Sequence, residues 1–249
     1  MIRHTNIISI LLALLGIFFC SAELIGETQR QSADYEDFLN VNKTYATDTT
    51  VLIKQVIVKR NETAGTKTTD SAYCLFHRNG QCVRIKTKRG IQYFFSSNEG
   101  CWLFTNKLKS PLKVSGTNKV EEFEVQDLLK TDFKNEYAII EAEAGVVTLE
   151  RKKAKPAYKY ILFQKNTASA FELTFIDGKK NPARKLVYHR GNVDGYDCFR
   201  QIDVYDLLFK KDTSTSWITE WIKPAEVPAA LFTYSQMKAL TQKIEALLP

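Results

Sequence analysis

From Thr49 to Lys223 apolar residues recur in short β-branched and aromatic runs, each ended by a turn signal. Runs of this length and make-up read as strands. The first group covers Thr49–Arg60, Thr66–His77, Cys82–Lys88, Ile91–Ser96, Cys101–Thr105 and Pro111–Val114. The second covers Tyr137–Glu141, Val146–Lys152, Tyr158–Lys165, Phe171–Asp177, Arg184–Arg190, Gly195–Leu207 and Ser216–Lys223. Turn residues stand between them at Asn61–Gly65, Asn79-Gly80, Arg89-Gly90, Asn98–Gly100 and Asp177-Gly178. Strands joined in this way form an antiparallel meander. About 11 of them in succession predict a barrel or a sandwich.

Three stretches carry a different period. Ala33–Thr44 reads as a helix, with Ser32 or Asp34 as its cap and Tyr35, Phe38 and Leu39 at helical spacing. Val120–Phe133 interrupts the strands as a short helix or a pair of turns. Ala230–Leu248 reads as a closing helix with Met237, Leu240, Ile244 and Leu247 on one face. Several strands are apolar on both faces, among them Val51-Leu52-Ile53, Tyr93-Phe94-Phe95, Trp102-Leu103-Phe104 and Tyr160-Ile161-Leu162-Phe163. A sheet with one wet face alternates, so both faces are covered here. Helices cover one; the other meets a packed core or a hydrophobic cavity.

The N-terminus sets the compartment. A basic start with Arg3, the apolar run Ile7–Phe19 and the small residues Cys20-Ser21-Ala22 have the order of a secretory signal peptide. Cleavage after Ala22 is expected, leaving residues 23–249 as one domain. Cys20 opens a second route, lipid attachment, against which stand the large residues Ile17, Phe18 and Phe19 before it. Removal of Arg3 with the segment lowers the formal net charge from +7 to +6. The lysines are spread over many strands, and an exported protein of this kind has no nucleic-acid partner in prospect.

Four cysteines remain, Cys74, Cys82, Cys101 and Cys198, which allow two disulfides in three connectivities or free buried thiols. Their spacing does not fit a zinc ribbon. In a two-residue hairpin at Asn79-Gly80, Cys82 faces His77 and Cys74 faces Ile85, so no direct Cys74–Cys82 bond is expected. No nucleophile elbow, zinc helix, phosphate loop or dinucleotide fingerprint occurs. The histidines His77 and His189 lie in predicted strands and read as structural. Glu121-Glu122 and Glu141/Glu143 read as solvated surface. No enzyme activity, cofactor or metal is expected. A hydrolase would have to use one of these acids or His189.

The segment Ile91–Gly116, "IQYFFSSNEGCWLFTNKLKSPLKVSG", resembles the core of the outer-membrane lipoprotein-sorting family, and "LFTYSQMKAL" resembles that family's ending. The order of elements is similar over nearly the whole mature chain. The resemblance implies a half-open antiparallel β-barrel of the LolA/LolB type, mainly β with a few helices covering its concave face. It implies a non-enzymatic periplasmic carrier of the acyl chains of lipoproteins, or of phospholipid. An inner-membrane transporter and an outer-membrane acceptor would be its partners. A lipid-responsive sensor or scaffold on the same fold is the alternative.

On that reading, one parity of each strand lines the groove. In the first half these are Val56, Val58, Phe76, Ile85, Tyr93, Phe95, Trp102 and Phe104. In the second they are Leu149, Tyr160, Leu162, Leu173, Phe175, Leu186 and Tyr188. Arg78, Lys107, Lys109 and Lys113 sit on the rim, facing lipid phosphate or a partner. A register slip of one residue would turn each strand's set to the opposite face.

Overall fold

The computed structural model describes residues 33–41, 49–77, 80–86, 91–96, 100–105, 110–114, 119–120, 123–124, 133–143, 145–152, 158–209 and 211–247. The signal-like segment with Cys20, and Arg78, Lys107 and Lys109, lie outside them. Helix α1 spans residues 33–41. The strands are β1 (Val51–Asn61), β2 (Thr66–His77), β3 (Gly80–Lys86), β4 (Ile91–Ser96), β5 (Gly100–Thr105), β6 (Leu112–Val114), β7 (Lys119–Val120) and β8 (Phe123–Glu124). After α2 (Phe133–Glu136) come β9 (Tyr137–Glu143), β10 (Val146–Arg151), β11 (Tyr158–Thr167), β12 (Ala170–Asp177), β13 (Pro182–Val193), β14 (Tyr196–Asp206) and β15 (Thr213–Pro224). Helix α3 is Met237–Leu247.

Thirteen strands form one antiparallel sheet in the order β6-β5-β4-β3-β2-β1-β15-β14-β13-β12-β11-β10-β9. The two meanders meet where β1 pairs with β15. The sheet ends at β6 and β9 and does not close on itself. It is the half-open barrel, with two strands more than the expected 11 and a separate β7–β8 pair in place of part of the mid-chain helix.

Local chemistry accounts for the hairpins. Asp194 and Gly195 both take positive φ, 50° and 88°, between the paired residues Val193 and Tyr196. Two positive-φ residues suit the right-handed twist of flanking strands, and Asp-Gly adopts them with little strain. In the β12–β13 turn the Asp177 carboxylate accepts the backbone N–H of Lys179 and of Asn181, each at 2.8 Å. The first hairpin departs from expectation. His77 pairs with Gly80, so Cys74 faces Val83 and Cys82 faces Leu75. The pairing therefore closes one residue earlier than the Asn-Gly signal suggests. Cys74 and Cys198 are buried.

The sheet is covered on both sides. On one face α1 packs against β1, β2 and β9–β15 in a single apolar cluster. Phe38 is fully buried within it, and its ring lies 5.3–6.3 Å from those of Tyr35, Phe133, Phe163, Phe171, Tyr188 and Phe199. On the opposite face the C-terminal segment packs on Leu52, Tyr73 and Leu75 through Val227, Phe232, Met237 and Leu240. The closing element is not one helix. Two 3-10 turns, Ala229–Leu231 and Tyr234–Gln236, precede α3, and Thr233 between them is extended at φ −130°, ψ 156°. That break lets Phe232 reach the sheet, where its ring stacks 5.4 Å from His77.

Because six rings converge on Phe38, no small rearrangement refills its site. Phe38→Ala is predicted to cost about 3–5 kcal/mol. Urea unfolding of the mature protein checks this; a loss below about 1 kcal/mol would mean that α1 contributes little to the fold.

Candidate functional site

The face beneath α1 is the larger of two apolar surfaces that the two meanders share among the described residues. β1 contributes Val51, Ile53 and Ile57, and β2 Ala72, Cys74 and Phe76. Leu103 of β5 and Val114 of β6 are partly buried against the same cluster. The opposite wall carries Val147 and Leu149, Ile161 and Phe163, Phe171, Leu173 and Phe175, then Leu186 and Tyr188. Among the described residues the ring contacts of Phe38 run to α1 itself, α2 and β11–β14. The wall of β1, β2, β5 and β6 lies beyond them on the same face.

Six of the expected lining residues lie in this cluster: Phe76, Leu149, Leu173, Phe175, Leu186 and Tyr188. Others do not. Leu162 and Tyr160 alternate with the buried Ile161 and Phe163, and the Lys159 ammonium lies 4.7 Å over the Tyr160 ring. Val56 and Val58 alternate with Ile57, which belongs to the cluster. Trp102 packs with the C-terminal segment, its ring 4.3 Å from Tyr234, and Lys113 Nζ sits 5.5 Å above it. Trp102 and Lys113 are thus together on the face opposite α1. The register puts Ile85, Tyr93 and Phe95 in the cross-strand rows of Ala72, Cys74 and Phe76, and pairs Phe104 with Gln92. The side chains of these four lie outside the described part of the structure.

Parity was illegible for two reasons. Both faces are covered, so both parities are apolar. Register shifts then reset the alternation: one falls in the β1–β15 ladder at Lys54/Gln55, another in the β13–β14 ladder at His189/Arg190. The first leaves Glu220 unpaired, so Trp217 and Ile222 join the same cluster although their numbers differ in parity. The aromatic set around Phe38 was also missed as a unit. Its one sequence signal is the Tyr35/Phe38/Leu39 stripe.

The polar edge of α1 is tied to the sheet by charge. Lys165 Nζ donates to Asp34 at 2.7 Å, and Arg190 Nη1 donates to Asp37 at 2.9 Å. Lys134 reaches Glu36 at 4.0 Å. Arg190 also holds Asp197 through two hydrogen bonds, which keep the Asp197 carboxyl below its ordinary range. All these groups are partly exposed, so each pair contributes about 0.2–1 kcal/mol.

The histidines sit in two separate settings. His189 Nε2 lies 2.8 Å from Asp203 Oδ2, and Gln201 donates to both oxygens of that carboxylate at 2.9 Å. Asp203 is paired across the sheet with Ser216, whose hydroxyl accepts from Arg60 at 2.8 Å. His77 is buried in the stack with Phe232. Among the described residues no group of three or more His, Cys, Asp and Glu could hold a metal.

No family model matches the sequence, and no curated protein matches it. The fold has solved relatives. A LolA superfamily protein from Nitrosomonas europaea superposes with a TM-score of 0.61 at 15% identity, covering 78% of this chain and 94% of that one. A DUF1329 family protein from Desulfovibrio piger gives 0.61 at 17%, covering 80% and 95%. A domain from Vibrio parahaemolyticus named for outer membrane lipoprotein sorting gives 0.62 at 15%, covering 80% and 97%. The chain therefore has the LolA-like fold from end to end of its relatives.

Two predictions follow from the charged edge of α1. Arg190→Gln loses contacts to both Asp37 and Asp197 and should cost about 1 kcal/mol in urea unfolding, against at most a few tenths for Lys134→Gln; equal costs would remove Arg190 as an anchor. The Asp197 carboxyl has a lowered folded-state pKa, so its stabilisation is present above the ordinary carboxylate value and is lost as pH falls through the folded one. The stability gap between the parent and Asp197→Asn should thus be open at pH 7 and close on acidification, as followed by unfolding at stepped pH. A gap unchanged at the acid end would refute it.

Proposed function

We propose that this protein is a non-enzymatic periplasmic carrier that holds acyl chains of a lipoprotein, or of another lipid, on the concave face of its half-barrel. The observation that carries the reading is how α1 sits there. It covers an apolar face through side chains, rings inside and ion pairs at the edge, with no ladder hydrogen bonds to the sheet. Such an element can leave as a unit and be replaced by something equally apolar.

Magnitudes decide what could replace it. A chain of about sixteen carbons gains about 12 kcal/mol when fully buried, at about 0.8 kcal/mol per CH2. Tyr35, Phe38, Leu39 and Val41 lose about 1.5–3 kcal/mol each when lifted out, about 6–12 kcal/mol together. One chain therefore exchanges with α1 near balance. The two or three chains of a lipoprotein or phospholipid displace it decisively, or spread onto the wall of β1, β2, β5 and β6. Delivery then needs only an acceptor that binds the chains better, after which α1 closes again.

The names of the solved relatives, LolA superfamily and outer membrane lipoprotein sorting, support the same compartment and cargo class for this fold. An inner-membrane transporter to load the carrier and an outer-membrane acceptor to unload it are the partners the reading requires. The complete burial of Phe38 favours a second reading, a scaffold that keeps its face packed and signals through a protein partner.

Native mass spectrometry of the mature protein, purified without detergent, separates the two. The carrier shows excess mass that organic extraction removes and that is lipid or acylated peptide. Phe38→Ala should raise the loaded fraction, because it weakens the competitor. A bare mass throughout, with no uptake of added diacyl lipid by parent or variant, would leave the scaffold.

A further inference from the structure

The end of the sheet where β12 turns into β13 and β14 into β15 carries an exposed aromatic tip. Phe209 is 84% exposed and Leu208 42%. The loop that presents them has a held conformation. Asp206 Oδ1 accepts the backbone N–H of Leu208 and of Phe209, both at 2.9 Å. At the feet of the loop, Leu207 N–H donates to Ala183 at 3.0 Å, and Glu62 N–H donates to Asp212 at 2.8 Å. The Asp206 carboxylate thus holds the backbone of Leu208 and Phe209 where both side chains are exposed.

The surroundings are basic. Arg184 pairs with both Phe175 and Asp206, which brings the Asp177–Pro182 turn to the same end as the loop. Lys179, Lys180 and Lys211 are exposed there, and none forms an ion pair among the described residues. Lys210 follows Phe209 in sequence. Four acids share this end, Asp177, Asp206, Glu62 and Asp212, against the six cations Lys59, Arg60, Lys67, Lys179, Lys180 and Lys211. Beside the loop a polar pocket is lined by Lys59, Arg60, Thr66, Thr68, Thr213 and Thr215. Cations with hydroxyl donors are what a phosphodiester headgroup requires.

We propose that the β14–β15 loop is a membrane-docking tip: Phe209 and Leu208 enter the headgroup boundary of an anionic bilayer while Lys179, Lys180 and Lys211 meet lipid phosphates. The observations favour a bilayer over a protein because a single exposed aromatic tip with exposed lysines at the same end of the sheet suits a soft anionic interface. A protein hot spot wants a rigid pocketed patch. Docking at this end leaves the concave face and α1 untouched, so it holds whether or not the protein carries cargo.

The test is flotation of the mature chain with phosphatidylglycerol/phosphatidylcholine vesicles against phosphatidylcholine alone. Binding should need the anionic lipid and fall with salt. Phe209→Ser should weaken partitioning about tenfold. Lys211→Gln should weaken it about fivefold. Neither should change the unfolding midpoint, since both side chains are exposed. Phe209→Trp should show a blue shift on vesicle addition beyond that of the parent. Unchanged binding by Phe209→Ser, a tryptophan at 209 that keeps its emission while the protein floats, or no flotation with either vesicle would overturn the proposal.

Discussion

The burial of one ring organises this molecule. Phe38 stands where α1, α2 and four strands of the second meander meet, and each of its six ring partners is fixed by a different stretch of backbone. A half-open sheet needs such an element. The strand ladders satisfy the backbone, but they leave one broad apolar face that water would otherwise wet. Helix α1 covers it without joining the ladder. The cover is therefore held by side-chain packing and edge ion pairs alone, and the proposed carrier role rests on that property.

The reverse face explains why the sheet itself can stay in place. Leu52, Tyr73 and Leu75 are buried under Val227, Phe232, Met237 and Leu240, so the strands of the β1–β15 seam are held from behind. Ion pairs such as Lys54–Glu220 at 2.6 Å are superficial beside this. Apolar packing behind the sheet and a side-chain-held helix in front divide the labour. One fixes the architecture; the other can respond.

Much of the architecture was legible in the sequence, because it rests on local signals. Turn residues and β-branched runs mark nearly every strand, and the Tyr35/Phe38/Leu39 stripe marks α1 together with its buried face. Which parity of each strand meets α1 was only half legible. Phe76, Leu149 and Tyr188 fell on the α1 side, whereas Trp102, Leu162 and Val58 fell on the other parity. Strand period alone cannot separate two covered faces, and the register shifts beside Gln55 and Arg190 move the answer again within a strand. The Cys74–Val83 register turned on a one-residue shift in where the hairpin pairing closes. The break at Thr233 was hidden because Phe232 leaves the helical phase for a tertiary contact, which no local propensity announces.

The central claim is that apolar cargo and α1 compete for one face. Hydrogen exchange of the backbone amides of residues 33–41, with and without a bound diacyl lipid, tests it most directly. If they compete, loading should strip protection from α1 while the amides of β11–β14 stay slow. Stoichiometric lipid binding that leaves α1 as protected as before would contradict the account and place the lipid elsewhere.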